Sequence, residues 1–228
     1  MTTRIEHTRT HAVVGTGFAL LLSALAGMTD AIGFMTAGDF ISFMSGNTTR
    51  LAIAAGEGRG EAAIRLAVIL VLFVAGNAIG VITVRFSKDR VWPLLFLVCA
   101  FLFISGAAIG ADSVSIVTLI PTILAMGALN AALETVAGYP VSLTYVTGAL
   151  SRFGKGLGRL MTGERNFGFL YQLAPWIGML VGAIIGTLVQ LAIGPASLYV
   201  AALLALALAL FALAMPHHWQ TAFLGRDR

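Results

Sequence analysis

The sequence predicts an all-α polytopic membrane protein, a single transmembrane domain over residues 1–228 with six spans. Three observations predict it. Hydrophobic residues make up 58% of the chain and charged residues only 11%, whereas a soluble domain carries about 25% charged residues. Residues 166–225 contain no Asp, Glu, Lys or Arg. Several apolar runs reach the roughly 20 residues that a helix needs to cross the hydrocarbon core of a bilayer.

Six apolar runs are predicted to span the membrane, at 12–35, 64–84, 92–110, 114–138, 169–191 and 196–215. Two further runs, 40–55 and 141–157, are rich in Gly, Ser and Thr and too short for a comfortable crossing. We interpret them as re-entrant segments or half-helices. With six spans and two segments that do not cross, most basic residues lie on the same side as both termini. Basic residues favour the cytoplasmic side. The sequence therefore predicts a multi-pass protein of the bacterial inner (plasma) membrane with short cytoplasmic tails.

An internal repeat divides the chain into two halves, about 12–110 and 113–215. The stretch GMTDA at 27–31 aligns with GALNA at 127–131, and residues 45–50 align with 147–152 at an offset of 102. Each half contains three spans and one short segment. Because three is an odd number, the halves are expected to insert with opposite orientations. Inverted repeats of this kind are common in secondary transporters, whose binding site lies near the midplane where broken helices meet.

Three polar residues in the long runs are candidates for substrate or ion binding: Asp30, Asn130 and Glu134. A carboxylate in hydrocarbon is costly unless it is paired, hydrated or protonated, so Asp30 is the leading candidate for an ion or proton site, or for a hydrogen-bonding anchor of the broken segment. Asn130 is its repeat partner, and Glu134 lies one turn further on the same face. Three alternatives stay open: Asp30 in the headgroup region, Asn130 as an interhelical hydrogen bond, and Glu134 facing the loop.

The short segments supply a second set of candidates, predicted to form the floor of the site: Ser45, Gly46, Asn47, Thr147 and Gly148. Glycine permits a sharp turn, and hydroxyl and amide groups can satisfy the backbone groups that a broken helix leaves unpaired. The amides at the start of a half-helix would favour an anion, and exposed carbonyls before the glycine would favour a cation. The alternative is a simple helix cap. Arg50 and Arg152 follow these motifs, either to attract a charged solute or to snorkel to the interface.

The stretch that contains Gly27-x-x-Asp30-Ala31 and Phe34, followed by Met44-Ser45-Gly46-Asn47, resembles the signature of the YoaK-like family of small bacterial inner-membrane proteins. The resemblance covers about residues 12–215. Ser45 stands where the family usually has Thr, which keeps the hydroxyl. The resemblance implies an uncharacterised multi-spanning membrane protein and brings no substrate with it.

The expected function is a small secondary transporter or permease that moves a small solute by alternating access, with a proton or cation as coupling ion. The first alternative is a channel whose short segments form a selectivity filter. The second is a scaffold or sensor that binds a partner through its basic loop. No Ser/His/Asp, Cys/His or H-E-x-x-H arrangement, cofactor motif or metal-binding pattern is present, so we expect neither an enzyme nor a bound metal. The basic residues lie at segment ends, which argues against nucleic acid, and a homodimer is compatible with the sequence.

Overall fold

Nine α-helices make up most of the part of the chain that this computed structural model describes, residues 2–108, 116–133, 135–136, 139–140, 143–144 and 146–224. They are α1 (Thr2–Ala37), α2 (Met44–Gly56), α3 (Gly60–Phe86), α4 (Trp92–Ala108), α5 (Ile116–Leu129), α6 (Val146–Met161), α7 (Leu173–Ile193), α8 (Ser197–Ala214) and α9 (His217–Phe223). Short 3₁₀ turns cover Asn130–Ala132, Gly168–Gln172 and Gly194–Ala196. Two dipeptides, β1 (Thr135–Val136) and β2 (Tyr139–Pro140), pair antiparallel. The predicted all-α class is confirmed for the described residues.

Three stretches are long and apolar enough to cross a membrane by length and composition: Val13–Ala37, Gly60–Phe86 and Gly168–Ala214. The third contains both α7 and α8, which are separated by a turn at Gly194 with φ of +58°. The apolar helices Trp92–Ala108 and Leu119–Ala132 are shorter. Large apolar side chains cover the outside of the bundle, and Val71 of α3 is 68% exposed. A surface of this kind requires an apolar surrounding.

Glycines bring two pairs of helices into backbone contact. A Cβ added to Gly182 of α7 would lie 1.9 Å from the carbonyl oxygen of Ala24 in α1, and one added to Gly186 would lie 2.6 Å from that of Met28. In the same way, a Cβ on Gly76 of α3 would lie 2.4 Å from the carbonyl oxygen of Leu124 in α5. Contacts advance in the same direction along both partners, so α1 runs parallel to α7 and α3 runs parallel to α5. These glycines therefore serve close helix packing.

The helices α4 and α8 run antiparallel, because their contacts advance in opposite directions. The amide of Val91 before α4 donates to Gln220 Oε1 after α8 (2.8 Å), and at the other end Phe103 packs against Tyr199 with ring centroids 5.1 Å apart. The helix α9 folds back on the bundle, where Phe223 stacks on Phe18 of α1. The start of α1, the 87–91 turn and the C-terminal helix therefore share one end of the bundle.

The fourth predicted span, 114–138, is wrong at its C-terminal end. The helix α5 stops at Leu129, a 3₁₀ turn reaches Ala132, and Leu133 is extended (φ −152°, ψ 120°). Asn130 donates from Nδ2 to the carbonyl of Met126 (3.2 Å), a local bond that competes with the helix. Further on, β-branched residues pair with Tyr139–Pro140, and a proline disfavours helix in the residue before it.

Both half-helices begin later than the short runs predicted. The run 40–55 gives a helix over Met44–Gly56, and the run 141–157 gives one over Val146–Met161. In the first half the reason is visible, because the amides of Ile41 and Ser42 donate to the Asp30 carboxylate. These two amides bond to a side chain instead of to helix carbonyls, so α2 starts only after this turn.

Candidate functional site

Asp30 fastens the 38–43 loop to the side of α1. Its Oδ1 accepts hydrogen bonds from the amides of Ile41 (2.7 Å) and Ser42 (2.6 Å), and its Oδ2 accepts one from the Ser42 hydroxyl (2.6 Å). The carboxylate is buried, with 5% of the residue exposed. Three short hydrogen bonds satisfy both oxygens of the buried carboxylate. Asp30 therefore stabilises the turn that leads into α2.

The described part of the second half contains the equivalent hydroxyl bond, with an amide in place of the acid. The Thr144 hydroxyl donates to Asn130 Oδ1 (3.1 Å). Asn130 is 100 residues after Asp30, and Thr144 is 102 residues after Ser42, which are the offsets of the sequence repeat. Asp30 on α1 and Asn130 directly after α5 therefore each hold a hydroxyl that precedes a half-helix.

The first turn of α2 is stabilised from within its own loop. Asn47 is fully buried and donates from Nδ2 to the carbonyl of Phe40 (2.7 Å). A Cβ added to Gly46 would lie 2.4 Å from the Phe43 ring, so a side chain there would displace the aromatic ring. No side chain caps the start of α2 at Phe43. The Met44 amide donates to the Ser42 carbonyl (3.0 Å), and the next two amides of the first turn have no acceptor within the helix.

The starts of α2 and α6 meet at one cavity of about 90 Å³, which we call the central cavity. Its wall comes from both halves: Ser42, Phe43, Met44, Ser45, Phe73, Thr144, Val146 and Thr147. Two pairs of hydroxyl residues related by the 102-residue offset line it, Ser42 with Thr144 and Ser45 with Thr147. The Ser42 and Thr144 hydroxyls already donate to Asp30 and Asn130. Ser45, Thr147 and the positive ends of two helix dipoles are therefore the groups that can meet an anionic or hydrogen-bond-accepting group.

The other predicted residues lie around the central cavity rather than in its wall. Gly46, Asn47 and Gly148 belong to the first turns of the two half-helices. Asp30 lies in the wall of a second, more apolar cavity of about 410 Å³ between α1, the 38–43 loop and α7, and Phe43 lines both cavities. Asp30 and Asn130 act on the central cavity through Ser42 and Thr144. Glu134 lies outside the described residues.

Arg50 pairs with a buried acid that the sequence reasoning missed. Its Nη1 lies 2.9 Å from Asp39 Oδ1, and Nε of Arg65 lies 3.1 Å from Asp39 Oδ2. Asp39 is 1% exposed. One carboxylate thus joins the loop to α2 and to α3. The signal for it was the position of the acid directly after Gly38, in the loop that leads to a half-helix with an arginine.

Arg152 occupies the matching place in α6 but has a neutral partner. Its Nε donates to Oε1 of Gln172 (2.8 Å), which is buried. Arg152, Lys155 and Arg159 line a cavity of about 200 Å³ beside α6, which we call the α6 basic cavity. The two predicted arginines therefore differ in kind: Arg50 belongs to an ion-paired cluster, and Arg152 belongs to a basic one.

The comparisons with known proteins agree with the membrane character of this bundle. The family described as "Protein of unknown function (DUF1275)" matches residues 18–211. The chain belongs to this family. It is 46% identical over 217 residues to a UPF0700 transmembrane protein of Rhizobium meliloti (strain 1021), covering 95% of this chain and 94% of that protein. No solved structure matches the chain.

Membership of the DUF1275 family supports the resemblance to YoaK-like proteins, because those proteins form this family. The matched range includes both half-helices, both hydroxyl pairs and the Asp39 cluster. The chain is a membrane protein, since its apolar helices and its transmembrane relative agree. Sequence reasoning missed Ser42 and Thr144, although a hydroxyl three residues before each Ser/Thr-Gly motif was a signal for them.

Proposed function

We propose that this protein is a secondary transporter or permease of the bacterial inner membrane. It moves a small solute by alternating access around the central cavity, and the transported solute presents an anionic or strongly hydrogen-bond-accepting group. The observation that carries the proposal is that equivalent residues of both halves, Ser45 and Thr147, line one cavity at the starts of two half-helices. The proposal contains no covalent step and therefore describes a carrier rather than an enzyme.

An inverted two-fold repeat underlies this proposal, and the helix directions support it. The helices α1, α2, α3 and α4 correspond to α5, α6, α7 and α8. Short turns make α3 antiparallel to α4 and α7 antiparallel to α8, and α4 is antiparallel to α8. With α1 parallel to α7 and α3 parallel to α5, every long helix runs opposite to its counterpart. Halves related by an axis along the membrane normal would instead keep counterparts parallel.

The contacts between helices give the same support at residue level. Gly182 of α7 contacts Ala24 of α1, and Gly76 of α3 contacts Leu124 of α5. The two contacts are equivalent under the repeat. Leu124 is the counterpart of Ala24, 100 residues later, and Gly182 is the counterpart of Gly76, 106 residues later. The Gly80–Ala128 and Gly186–Met28 contacts are equivalent in the same way. Each half therefore packs on the other through equivalent seams.

We propose six spans with both termini in the cytoplasm, an arrangement that these directions support. We assign the spans to α1, α3, α4, α5, α7 and α8, with α2 entering from the outside and α6 from the cytoplasm. The 87–91 turn, with Lys88 and Arg90, then lies on the side of the C-terminal helix, whose His217 contacts the Lys88 carbonyl. Basic residues after α3 and on α6 then face the cytoplasm, as the positive-inside rule requires.

Alternating access fits the way that the half-helices are attached. Loop 38–43 is tied to α1 by Asp30, and α2 is tied to α3 by the Asp39 ion pairs. On the other side, Asn130 holds Thr144 and Arg152 holds Gln172. The long helices that hold the half-helices pack across the halves, α1 on α7 and α3 on α5, through the glycine seams. Movement of the α1–α7 pair against the α3–α5 pair would open the central cavity first to one side and then to the other.

The experiment begins with uptake profiling of a deletion strain across a panel of small anionic and polar metabolites. The hit is then measured in proteoliposomes with wild type, Ser45→Ala and Thr147→Ala. Because each change removes a hydroxyl from the cavity wall, we expect a loss of uptake of about tenfold or more for each. Thr48→Ala is the matched control, since its exposed hydroxyl bonds to Met44 in the same helix turn. Normal uptake by both cavity variants would refute the proposed site.

A channel is the second candidate, favoured by the starts of the two half-helices at one small cavity. Such an arrangement can also form a filter that excludes cations. The two functions differ in flux, because a carrier changes conformation in every cycle and turns over at up to about 10³ per second. Single-channel currents, or uncoupled flux far above that rate, would favour the channel.

A further inference from the structure

Three basic side chains share the α6 basic cavity without a carboxylate partner among the described residues. Arg152, Lys155 and Arg159 are spaced so that they lie on one face of α6 and line a cavity of about 200 Å³. The ion pairs in the described part of the chain involve Asp39 and Glu57 and none of these three residues. Glu164 is the one acid in the cavity wall, so three cations and one carboxylate give the wall a formal charge of 3 − 1 = +2.

The equivalent place in the first half shows what is different here. There, Arg50 and Arg65 share the buried carboxylate of Asp39. In the α6 basic cavity, Arg152 is oriented by Gln172, which is 2% exposed and carries no charge. A neutral amide fixes the direction of a guanidinium but leaves its charge uncompensated. The second half therefore presents an oriented cation where the first half presents an ion pair.

The cavity has an aromatic wall and lies next to exposed apolar side chains. A Cβ on Gly156 would lie 2.2 Å from Phe169, so the aromatic ring packs directly on the helix backbone. Phe153 and Phe169 have ring centroids 5.5 Å apart. Large apolar side chains around the cavity are exposed, namely Leu157, Met161, Phe167 and Leu170. Basic groups beside exposed apolar groups are typical of a surface at the membrane interface.

We propose that the α6 basic cavity binds a phosphate group, and that an anionic phospholipid headgroup is the source that the surroundings favour. The guanidinium of Arg152 and the groups of Lys155 and Arg159 would surround the phosphate oxygens. The neighbouring apolar side chains would contact the acyl chains. A free phosphate-bearing solute has the same recognition chemistry without the acyl chains. This site is separate from the central cavity and does not depend on transport.

The test uses the full-length protein, purified in detergent and stripped of lipid. Calorimetric titrations with short-chain phosphatidylglycerol, short-chain phosphatidylcholine and inorganic phosphate separate the two sources. The test variant is Lys155→Gln with Arg159→Gln, because both side chains are exposed and their loss leaves the Arg152–Gln172 bond intact. Arg85→Gln, an exposed basic residue at the end of α3, is the matched control. The variant Arg159→Lys keeps the charge and should keep binding.

Wild type should bind phosphatidylglycerol at one saturable site and phosphatidylcholine at least tenfold more weakly. The double variant should lose about tenfold or more in affinity for phosphatidylglycerol, while Arg85→Gln should bind as wild type does. Binding of inorganic phosphate with the same dependence on Lys155 and Arg159 would assign the site to a free solute and leave its chemistry intact. Unchanged binding in a folded double variant, or an equal loss in Arg85→Gln, would overturn the proposal.

Discussion

Asp30 is a local organiser, and its environment decides what each substitution costs. Two backbone amides and one hydroxyl donate to it in a buried position. An asparagine can still accept the two amide bonds through Oδ1, and its amide nitrogen can donate to Ser42 after the hydroxyl rotates. Asn130 occupies the matching position in the second half, where it accepts from Thr144. An alanine can accept none of these bonds.

We therefore expect Asp30→Asn to lower the free energy of unfolding by about 1 kcal/mol and Asp30→Ala by about 3 kcal/mol or more, since each buried unpaired donor costs about 1–3 kcal/mol. Thermal unfolding of the purified variants in detergent measures the difference. Ser42→Ala, which removes one of the three donors, should fall between wild type and Asp30→Ala. Equal stability of Asp30→Ala and wild type would contradict this role.

Asp39 should matter more than the acid of an exposed ion pair. Its carboxylate is buried and faces two arginines, whereas Glu57 and Arg59 form a pair in which both side chains are 57% exposed. Because Arg50 and Arg65 remain partly exposed, we expect Asp39→Ala to cost about 1–3 kcal/mol. Glu57→Ala should cost less than about 1 kcal/mol. Thermal unfolding compares them, and an equal effect would show that the Asp39 pairs are solvent-screened.

The sequence located several residues of the site and indicated Asp30 as a hydrogen-bonding anchor of the broken segment, but it did not identify the residues that bond to it. The repeat pointed to Asp30, Asn130 and the Ser/Thr-Gly motifs, because equivalent polar residues in apolar segments stand out from their surroundings. Ser42, Thr144 and Asp39 did not stand out, because a hydroxyl or an acid in a loop is ordinary until the loop folds back on a helix. Their partners lie 11 to 26 residues away, at distances that no local pattern records.

At the scale of elements, the helices pack most closely along two seams, α1 against α7 and α3 against α5. Glycines of α7 and α3 contact backbone carbonyls of α1 and α5, with no space for a side chain. Membrane helices gain stability from close backbone approach because lipid supplies no hydrophobic drive for their association. One added methyl group would therefore push the two helices apart.

Gly182→Ala should lower the free energy of unfolding by about 2 kcal/mol or more, because its Cβ would lie 1.9 Å from the Ala24 carbonyl oxygen. Gly17→Ala is the control in α1, where nothing lies within 4 Å of the added Cβ. Since alanine favours helix over glycine, that control should gain up to about 1 kcal/mol. Thermal unfolding of both variants and wild type measures these differences. A Gly182→Ala variant as stable as wild type would contradict close packing of α7 on α1.

The elements were predictable where apolar runs are long and uninterrupted, as in α3, α4, α7 and α8. Boundaries near the half-helices were not. The end of α5 depends on the Asn130 back-bond and on the strand pairing that follows. The start of α2 depends on Asp30, which takes the amides of the preceding residues. Both boundaries are set by side chains that compete for backbone groups, and the hydropathy of a run does not report that competition.

The whole bundle has two distinguishable ends, and its proposed topology can be tested at each. The 87–91 turn lies beside α9, and the 57–59 turn lies between α2 and α3. In a background where Cys99 is replaced by alanine, Glu57→Cys should react with a membrane-impermeant thiol reagent added to intact cells. Lys88→Cys should react only after the membrane is opened. Labelling of Lys88→Cys from outside intact cells would contradict the six-span topology.

The central claim is that the cavity between the half-helix starts opens in turn to both sides of the membrane. Thr147→Cys in the same Cys99→Ala background tests it most directly, by labelling with an impermeant reagent in right-side-out and in inside-out vesicles. We predict that Thr147→Cys reacts from both sides, and that prior reaction from one side blocks reaction from the other. Labelling from one side alone, or from neither, would contradict alternating access at this cavity.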